Sequence, residues 1–193
     1  MRLFVGLDIP IGIRGAISQY VDELRRVAPD ARWVKPESYH VTLKFIGEWK
    51  RDVREVISAL ETIQAPSIDV AFRHCGFFPN PKSPRVFWVG IEADAKLPSL
   101  AKQVDQTCSK LGIESEDRAY SPHLTLARSG SGSPRPKHDE PLAPGMRRLA
   151  ERIAGIPAPD FGTMHATEFF LYESKLSPGG AKYMKLKSFT LTG

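Results

Sequence analysis

Apolar residues along this chain follow two rhythms, a period of two and a period of about 3.6, and the order in which those rhythms alternate is repeated. In "RLFVGLDI" Leu3, Val5, Leu7 and Ile9 share one face at period two, which predicts a strand. Residues 11 to 28 then place Ile13, Ile17, Tyr20, Val21, Leu24 and Val27 at helical spacing. "YHVTLKFIGE" alternates again and predicts a second strand. A helix over residues 51 to 64 follows, through Val53, Val56, Ile57, Leu60 and Ile63. "SIDVAFRHCGFF" reads as extended, and the Pro-rich "PNPKSP" at residues 79 to 84 as a turn and a midpoint.

Past that turn the order recurs. "RVFWVGIEA" predicts a strand, and residues 97 to 111 a helix through Leu97, Leu100, Ala101, Val104, Cys108 and Leu111. "HLTLA" predicts the next strand. The low-complexity stretch 129 to 145 predicts a mobile loop. A short helix over 146 to 155 and two closing strands, around "HATEFFLYES" and "KYMKLKSFTL", finish the chain. Both halves thus run strand, helix, strand, which implies an α+β protein of two similar lobes.

Composition narrows the partners. A chain of 193 residues with 41% hydrophobic content is long enough to bury a core, as one domain or two small lobes. Its formal charge of +5 and pI of about 9.3 favour anionic partners such as nucleotides, RNA or phosphorylated small molecules. The N-terminal "MRLFVGLDIP" lacks a long apolar core and reads as a first strand, not a signal peptide. No stretch approaches a membrane span. Cys75 and Cys108 stand at no redox or zinc spacing and read as reduced core thiols of a cytoplasmic protein.

The chemistry lies in a doublet. "HVTL" at His40 and "HLTL" at His123 occupy equivalent strands of the two halves, whereas chance would supply only about 0.2 His-x-Thr triplets in a chain of this composition. Alternation sends His40 and Thr42 to one face and Val41 and Leu43 to the core, and treats His123, Thr125, Leu124 and Leu126 likewise. If the lobes pack pseudo-symmetrically, the polar faces converge. Two imidazoles that titrate near neutrality suit a reaction needing a base and an acid together. Opening a cyclic phosphodiester is such a reaction: water is deprotonated for in-line attack while the departing ribose oxygen is protonated. Threonine hydroxyls suit the non-bridging oxygens, where charge accumulates.

The doublet resembles the paired signature of the two-histidine phosphoesterases. "MRLFVGLDIP", "ARWVKPESYHVTLKFIGE", "SPRVFWVGIE", "SPHLTLAR" and "LYESKLSPGGAKY" together resemble its RNA 2′,3′-cyclic phosphodiesterase branch, also described as 2′-5′ RNA ligase-like proteins. The resemblance covers nearly the whole chain. It implies a single bilobal domain over residues 1–193, with repeat halves of roughly 1–80 and 81–193. Each lobe would be an antiparallel-rich sheet with helices on its outer face, and the active-site cleft would lie between them. It implies hydrolysis of RNA or nucleotide 2′,3′-cyclic phosphates to 2′-phosphates, with no metal and no cofactor, by a monomer. His40 would be the general base and His123 the general acid. Thr42, Thr125 and Arg128 would hold phosphate, and Phe45 would lie beside the nucleobase.

Alternation objects to the last two. Arg128 shares parity with Leu124 and Leu126, and Phe45 with Val41 and Leu43. Burying an unpaired arginine is too costly, so the second strand must end or bulge near Ala127. For Phe45 a core position stays open. Ser121 stands where relatives often carry a basic residue. Lys44 on the His40 face, Arg135 and Lys137 in the loop, and Lys182 in the closing hairpin are alternative cations. Trp33 and Trp88 read first as buried aromatics. His74, His138 and His165 have no recognised ligand spacing. Three functions follow: the cyclic phosphodiesterase, a 2′-5′ RNA ligase at the same site, and an RNA- or nucleotide-binding module without turnover.

Overall fold

The computed structural model describes residues 1–130, 143–177 and 180–193. Its strands are β1 (Arg2–Asp8), β2 (Arg32–Trp33), β3 (His40–Glu48), β4 (Ile68–Phe78), β5 (Val86–Ala93), β6 (His123–Arg128), β7 (Asp160–Ala166), β8 (Glu168–Ser177) and β9 (Gly180–Thr190). The helices are α1 (Ile11–Leu24), α2 (Val53–Leu60), α3 (Lys96–Ser109) and α4 (Pro144–Ala154).

The helices form where the 3.6-residue rhythm runs, and local chemistry ends them. α1 buries Ile13, Ile17, Val21 and Leu24 along one stripe. It stops at Leu24, short of the expected residue 28, because Pro29 disfavours helical backbone at Ala28 and the chain turns through Val27 N–H to Leu24 O. α2 begins at Asp52, whose carboxylate accepts the Arg54 amide at 2.9 Å and so satisfies an orphan donor.

Two antiparallel sheets carry the molecule, ordered β3-β1-β8-β9 and β2-β6-β5-β4-β7. The expected halves 1–80 and 81–193 do not each build one sheet. β4 precedes the midpoint turn yet pairs with β5, while β8 and β9 return to flank β1. The helices cross over as well: α1 packs on β7 of the five-stranded sheet, and α3 packs on β3 of the four-stranded one with α2 behind it. Hydrogen-bonding edges explain the exchange, since β1 and β3 alone would form a two-stranded ribbon, which is marginal in water.

The closing segment differs from expectation in the same way. "HATEFFLYES" is not one strand but the junction of two. β7 pairs with β4, the chain breaks at Thr167, and β8 pairs with β1. One core runs through both lobes: Leu3, Val5 and Leu7 of β1, Val41 and Leu43 of β3, Phe87 and Val89 of β5, and Leu124 and Leu126 of β6 are all buried. Each such side chain contributes about 1.5–3 kcal/mol.

Candidate active site

β3 and β6 lie beside each other at the seam between the sheets, and both carry a bulge at the same point of the motif. On β3, Val5 pairs with Lys44 and Gly6 with Thr42, so Leu43 is the extra residue. On β6, Phe87 pairs with Ala127 and Trp88 with Thr125, so Leu126 is extra. A bulge reverses the parity of every side chain beyond it. Val41, Leu43 and Lys44 are therefore buried while His40, Thr42 and Phe45 are not, and the pattern repeats at Leu124, Leu126 and Ala127 against His123, Thr125 and Arg128. Phe45 and Arg128 thus occupy matching positions three residues after their threonines.

This resolves the parity objections. The bulge expected near Ala127 falls at Leu126 and brings Arg128 to the side of Thr125, with its guanidinium 3.5 Å from the Thr125 hydroxyl. Phe45 is 62% exposed and is not a core residue. Lys44 goes the other way. It leaves the His40 face, is buried, and donates to Asp105 Oδ1 at 2.5 Å and Glu114 O at 2.6 Å.

Each histidine is held in the same manner. His40 Nδ1 lies 2.8 Å from Ser38 O, and His123 Nδ1 lies 2.8 Å from Ser121 O. A carbonyl only accepts, so Nδ1 carries the proton in both rings and Nε2 of the neutral imidazole is the basic atom. An aromatic ring stands edge-on to each: Tyr183 to His40 at 4.9 Å and 83°, Phe78 to His123 at 4.9 Å and 83°. Phe4 lies 4.7 Å from His40 on a third side. The strands are tied directly, because Tyr120, three residues before His123, donates its hydroxyl to Thr42 O at 2.9 Å.

Electrostatics keep both rings neutral. Burial pushes His40 down to about 4, and the Arg128 and His123 charges add to it against the opposing Ser38 carbonyl and Asp8. His123 is also lowered, by burial and then by Arg128. Arg128 is itself pushed down by burial, with Arg32 adding to the effect. Among the described residues, two neutral imidazoles and a poorly solvated guanidinium around two hydroxyls make a site short of negative charge. An anion there would raise both histidine pKa values and complete the solvation of the arginine.

The surrounding cleft has two arms that meet at Phe45. One, of about 630 Å³, is lined by Arg2, Arg32, Lys35, Arg128, Ser38 and Tyr183 among others. The second, of about 610 Å³, runs past Thr42 and His123 between Phe78, Pro79, Val86 and Tyr120.

Other expected candidates fall elsewhere. Lys182 is exposed and lines neither arm. Trp33 borders the first arm but donates its indole N–H to Ala28 O at 2.8 Å, and Trp88 packs on Phe78 at 5.1 Å. His74 sits at φ +49° beside Glu92, and His165 pairs with Asp69 at 2.7 Å, both away from the cleft. Arg135, Lys137 and His138 lie outside the described residues. Sequence reasoning missed Tyr183, Phe78 and Tyr120. It also missed the serine that stands two residues before each histidine, "SYHVTL" and "SPHLTL", whose carbonyl orients the ring.

Two sheets that meet at paired His-x-Thr strands define the class of two-histidine phosphoesterases. The chain belongs to the LigT-like phosphoesterase family, whose family model (LigT like Phosphoesterase) matches residues 7–88 and again 89–183. It is 31% identical over 190 residues to the RNA 2′,3′-cyclic phosphodiesterase of Archaeoglobus fulgidus, covering 98% of this chain and 99% of that one. It is 32% identical to the enzyme of the same name from Methanothermobacter thermautotrophicus, covering 99% of each. Among solved structures, E. coli LigT in complex with 3′-AMP superposes with a TM-score of 0.76 at 26% identity, covering 100% of this chain and 98% of that chain. The double match fits the repeated motif. Among the described residues no helix is long and apolar enough to cross a membrane.

Proposed function

We propose that this protein hydrolyses 2′,3′-cyclic phosphates on RNA ends or nucleotides to 2′-phosphates, using His40 as general base and His123 as general acid. The observation that carries the proposal is the duplicated support of the two rings. Each gives its Nδ1 proton to a carbonyl two residues upstream, which leaves Nε2 for proton transfer on two adjacent strands. His40 Nε2 takes a proton from water as the water oxygen bonds to phosphorus. The bond from phosphorus to the 3′ oxygen breaks, and His123 Nε2 delivers a proton to that oxygen. The products are a 2′-phosphate and a free 3′-hydroxyl.

The environments support this polarity. His40, held down to about 4, is unprotonated across the neutral range and suits the base. His123 must carry a proton, and the negative charge of the bound phosphodiester raises its pKa toward that state. Thr42, Thr125 and Arg128 would hold the non-bridging oxygens, with Phe45 against the base. The substrate would reach a cytoplasmic monomer. Family membership and the names of the full-length relatives support this reading.

The test is direct. Chelator-treated protein is given a nucleoside 2′,3′-cyclic phosphate and the product is identified. A 2′-monophosphate is expected; a 3′-monophosphate, or no turnover anywhere between about pH 5 and 9, would refute the reading. Ligation would put the 5′-hydroxyl of a second RNA end in the place of water, its oxygen bonding to phosphorus as the protonated 3′ oxygen leaves, so the same assay with such an end and a search for 2′-5′ linkages measures it.

A further inference from the structure

We propose that the hydroxyl of Ser38 is a positioning group for His40: its hydrogen bond to Ala181 on β9 fixes the carbonyl that holds the ring, a task that Pro122 performs for His123. The inference rests on the paired-histidine reading above and adds to it a residue that touches no substrate.

The sequence supplies the first reason. The motifs begin "SYHVTL" and "SPHLTL", so the residue between serine and histidine is Tyr39 in one and Pro122 in the other. A proline ring fixes its own φ near about −65° and keeps the preceding residue out of helical backbone, so covalent geometry aims the Ser121 carbonyl. Tyr39 takes almost the same φ, −68°, with no ring to enforce it. A proline there would forfeit a bond, because the Tyr39 amide donates to Pro36 O at 3.1 Å and closes the turn at Pro36–Ser38. The first histidine therefore needs another lock.

Packing supplies the second reason. The Ser38 hydroxyl donates to Ala181 O at 3.1 Å, and Ser38 is only 6% exposed. Its carbonyl takes the Nδ1 proton of His40 at 2.8 Å. One buried residue thus meets β9 with its side chain and the ring with its backbone. From the other side Arg14 on α1 donates to Pro36 O and to Asp8 Oδ1, and Asp8 is the register partner of His40. The turn is held between α1 and β9.

The reach of β9 is the third reason. Tyr183, two residues after Ala181, stands edge-on to the His40 ring at 4.9 Å, and Lys185 donates to Asp8 Oδ2 at 2.6 Å. The strand that flanks the ring is also the strand that pins its carbonyl. Releasing the hydroxyl frees that carbonyl to swing away from Nδ1, and the neutral ring then shares its proton between its two nitrogens. A ring protonated at Nε2 has no basic atom for water, so the loss falls on the chemical step and not on binding.

The test compares the wild type with Ser38→Ala on two readouts. kcat and KM are measured with adenosine 2′,3′-cyclic phosphate, and the histidine ring nitrogens of the isotopically labelled, substrate-free protein are followed by NMR at neutral pH. In the wild type His40 and His123 are each expected as the single Nδ1–H tautomer. In Ser38→Ala the His40 ring becomes a mixture while His123 keeps its tautomer. kcat falls about three- to tenfold, the scale of one hydrogen bond, with KM nearly unchanged.

A His40 ring that keeps a single tautomer, or a kcat that stays at the wild-type value, overturns the proposal. A change at His123 equal to that at His40 overturns it too, because it marks general loosening. Absence of turnover by the wild type overturns the underlying activity instead, and the ring spectrum still decides whether Ser38 positions His40. Where Ser38→Ala fails to fold, Ser38→Cys keeps nearly the same shape with only a weak donor, and the same two readouts decide.

Discussion

Replacing Phe45 with alanine distinguishes a residue that holds the fold from one that holds the substrate. Phe45 is 62% exposed, so little more than a third of its surface is removed from water. Full burial of a phenylalanine contributes about 1.5–3 kcal/mol, which scales here to about 1 kcal/mol. Its contact with Phe4 is tilted at 6.1 Å between centroids and lies inside the same estimate. A core phenylalanine would cost about 3–5 kcal/mol on the same change. Stacking of a base on an aromatic side chain contributes about 1–3 kcal/mol, a 5- to 150-fold effect on KM. Urea denaturation should therefore show a loss near 1 kcal/mol, while KM for adenosine 2′,3′-cyclic phosphate rises and kcat is retained. A ribose 2′,3′-cyclic phosphate without a base should not discriminate between the two proteins. A stability loss of about 3 kcal/mol or more with KM unchanged would refute the assignment of Phe45 to the nucleobase.

Further consequences follow from the histidine pair and its surroundings. His40→Ala and His123→Ala should each reduce hydrolysis by about 10²–10⁴ with the circular dichroism spectrum retained; near wild-type activity in either removes the paired mechanism. The wild-type profile of kcat/KM against pH should be bell-shaped, and a flat profile would point to other groups. The substrate-free protein should lose stability on acidification. The folded-state pKa of His40 lies near 4, below its ordinary 6.5, so the unfolded chain takes up the proton first. That contribution is complete above pH 6.5 and is lost as pH falls toward 4, by roughly 2–3 kcal/mol. Urea melts at both pH values, with His40→Gln as control, test it. Lys44→Met strands Asp105 and should cost about 2–4 kcal/mol in urea melts with kcat nearly unchanged; a collapse of activity at full stability would make Lys44 a phosphate ligand instead.

Legibility from sequence divides along a physical line. Strands, helices and the two histidines were readable because their signals are local: period, breakers and a motif written twice. The bulges were readable only where an error would have been expensive. Arg128 forced one, since an arginine aimed into the core without a partner is prohibitive. Phe45 forced nothing, because a phenylalanine is as much at home inside as outside. Lys44 shows the converse. Parity sent it to the cleft, but Asp105 on α3 and the Glu114 carbonyl, both far away in sequence, satisfy its buried ammonium. The exchange of strands between halves was unreadable for the same reason, since pairing depends on which edges lie open once the chain has collapsed.

That exchange has a bearing on how the protein is made. β1 finds one of its two neighbours in β3 but the other only in β8, and the ring that stands edge-on to His40 arrives later still, with Tyr183 on β9. Contacts so distant along the chain make for slow folding, because the loop must close before its contacts repay the entropy lost. A ribosome that has delivered both histidine motifs has therefore not yet delivered an active site. The cleft acquires its far wall beside His40 only when the final hairpin of β8 and β9 docks.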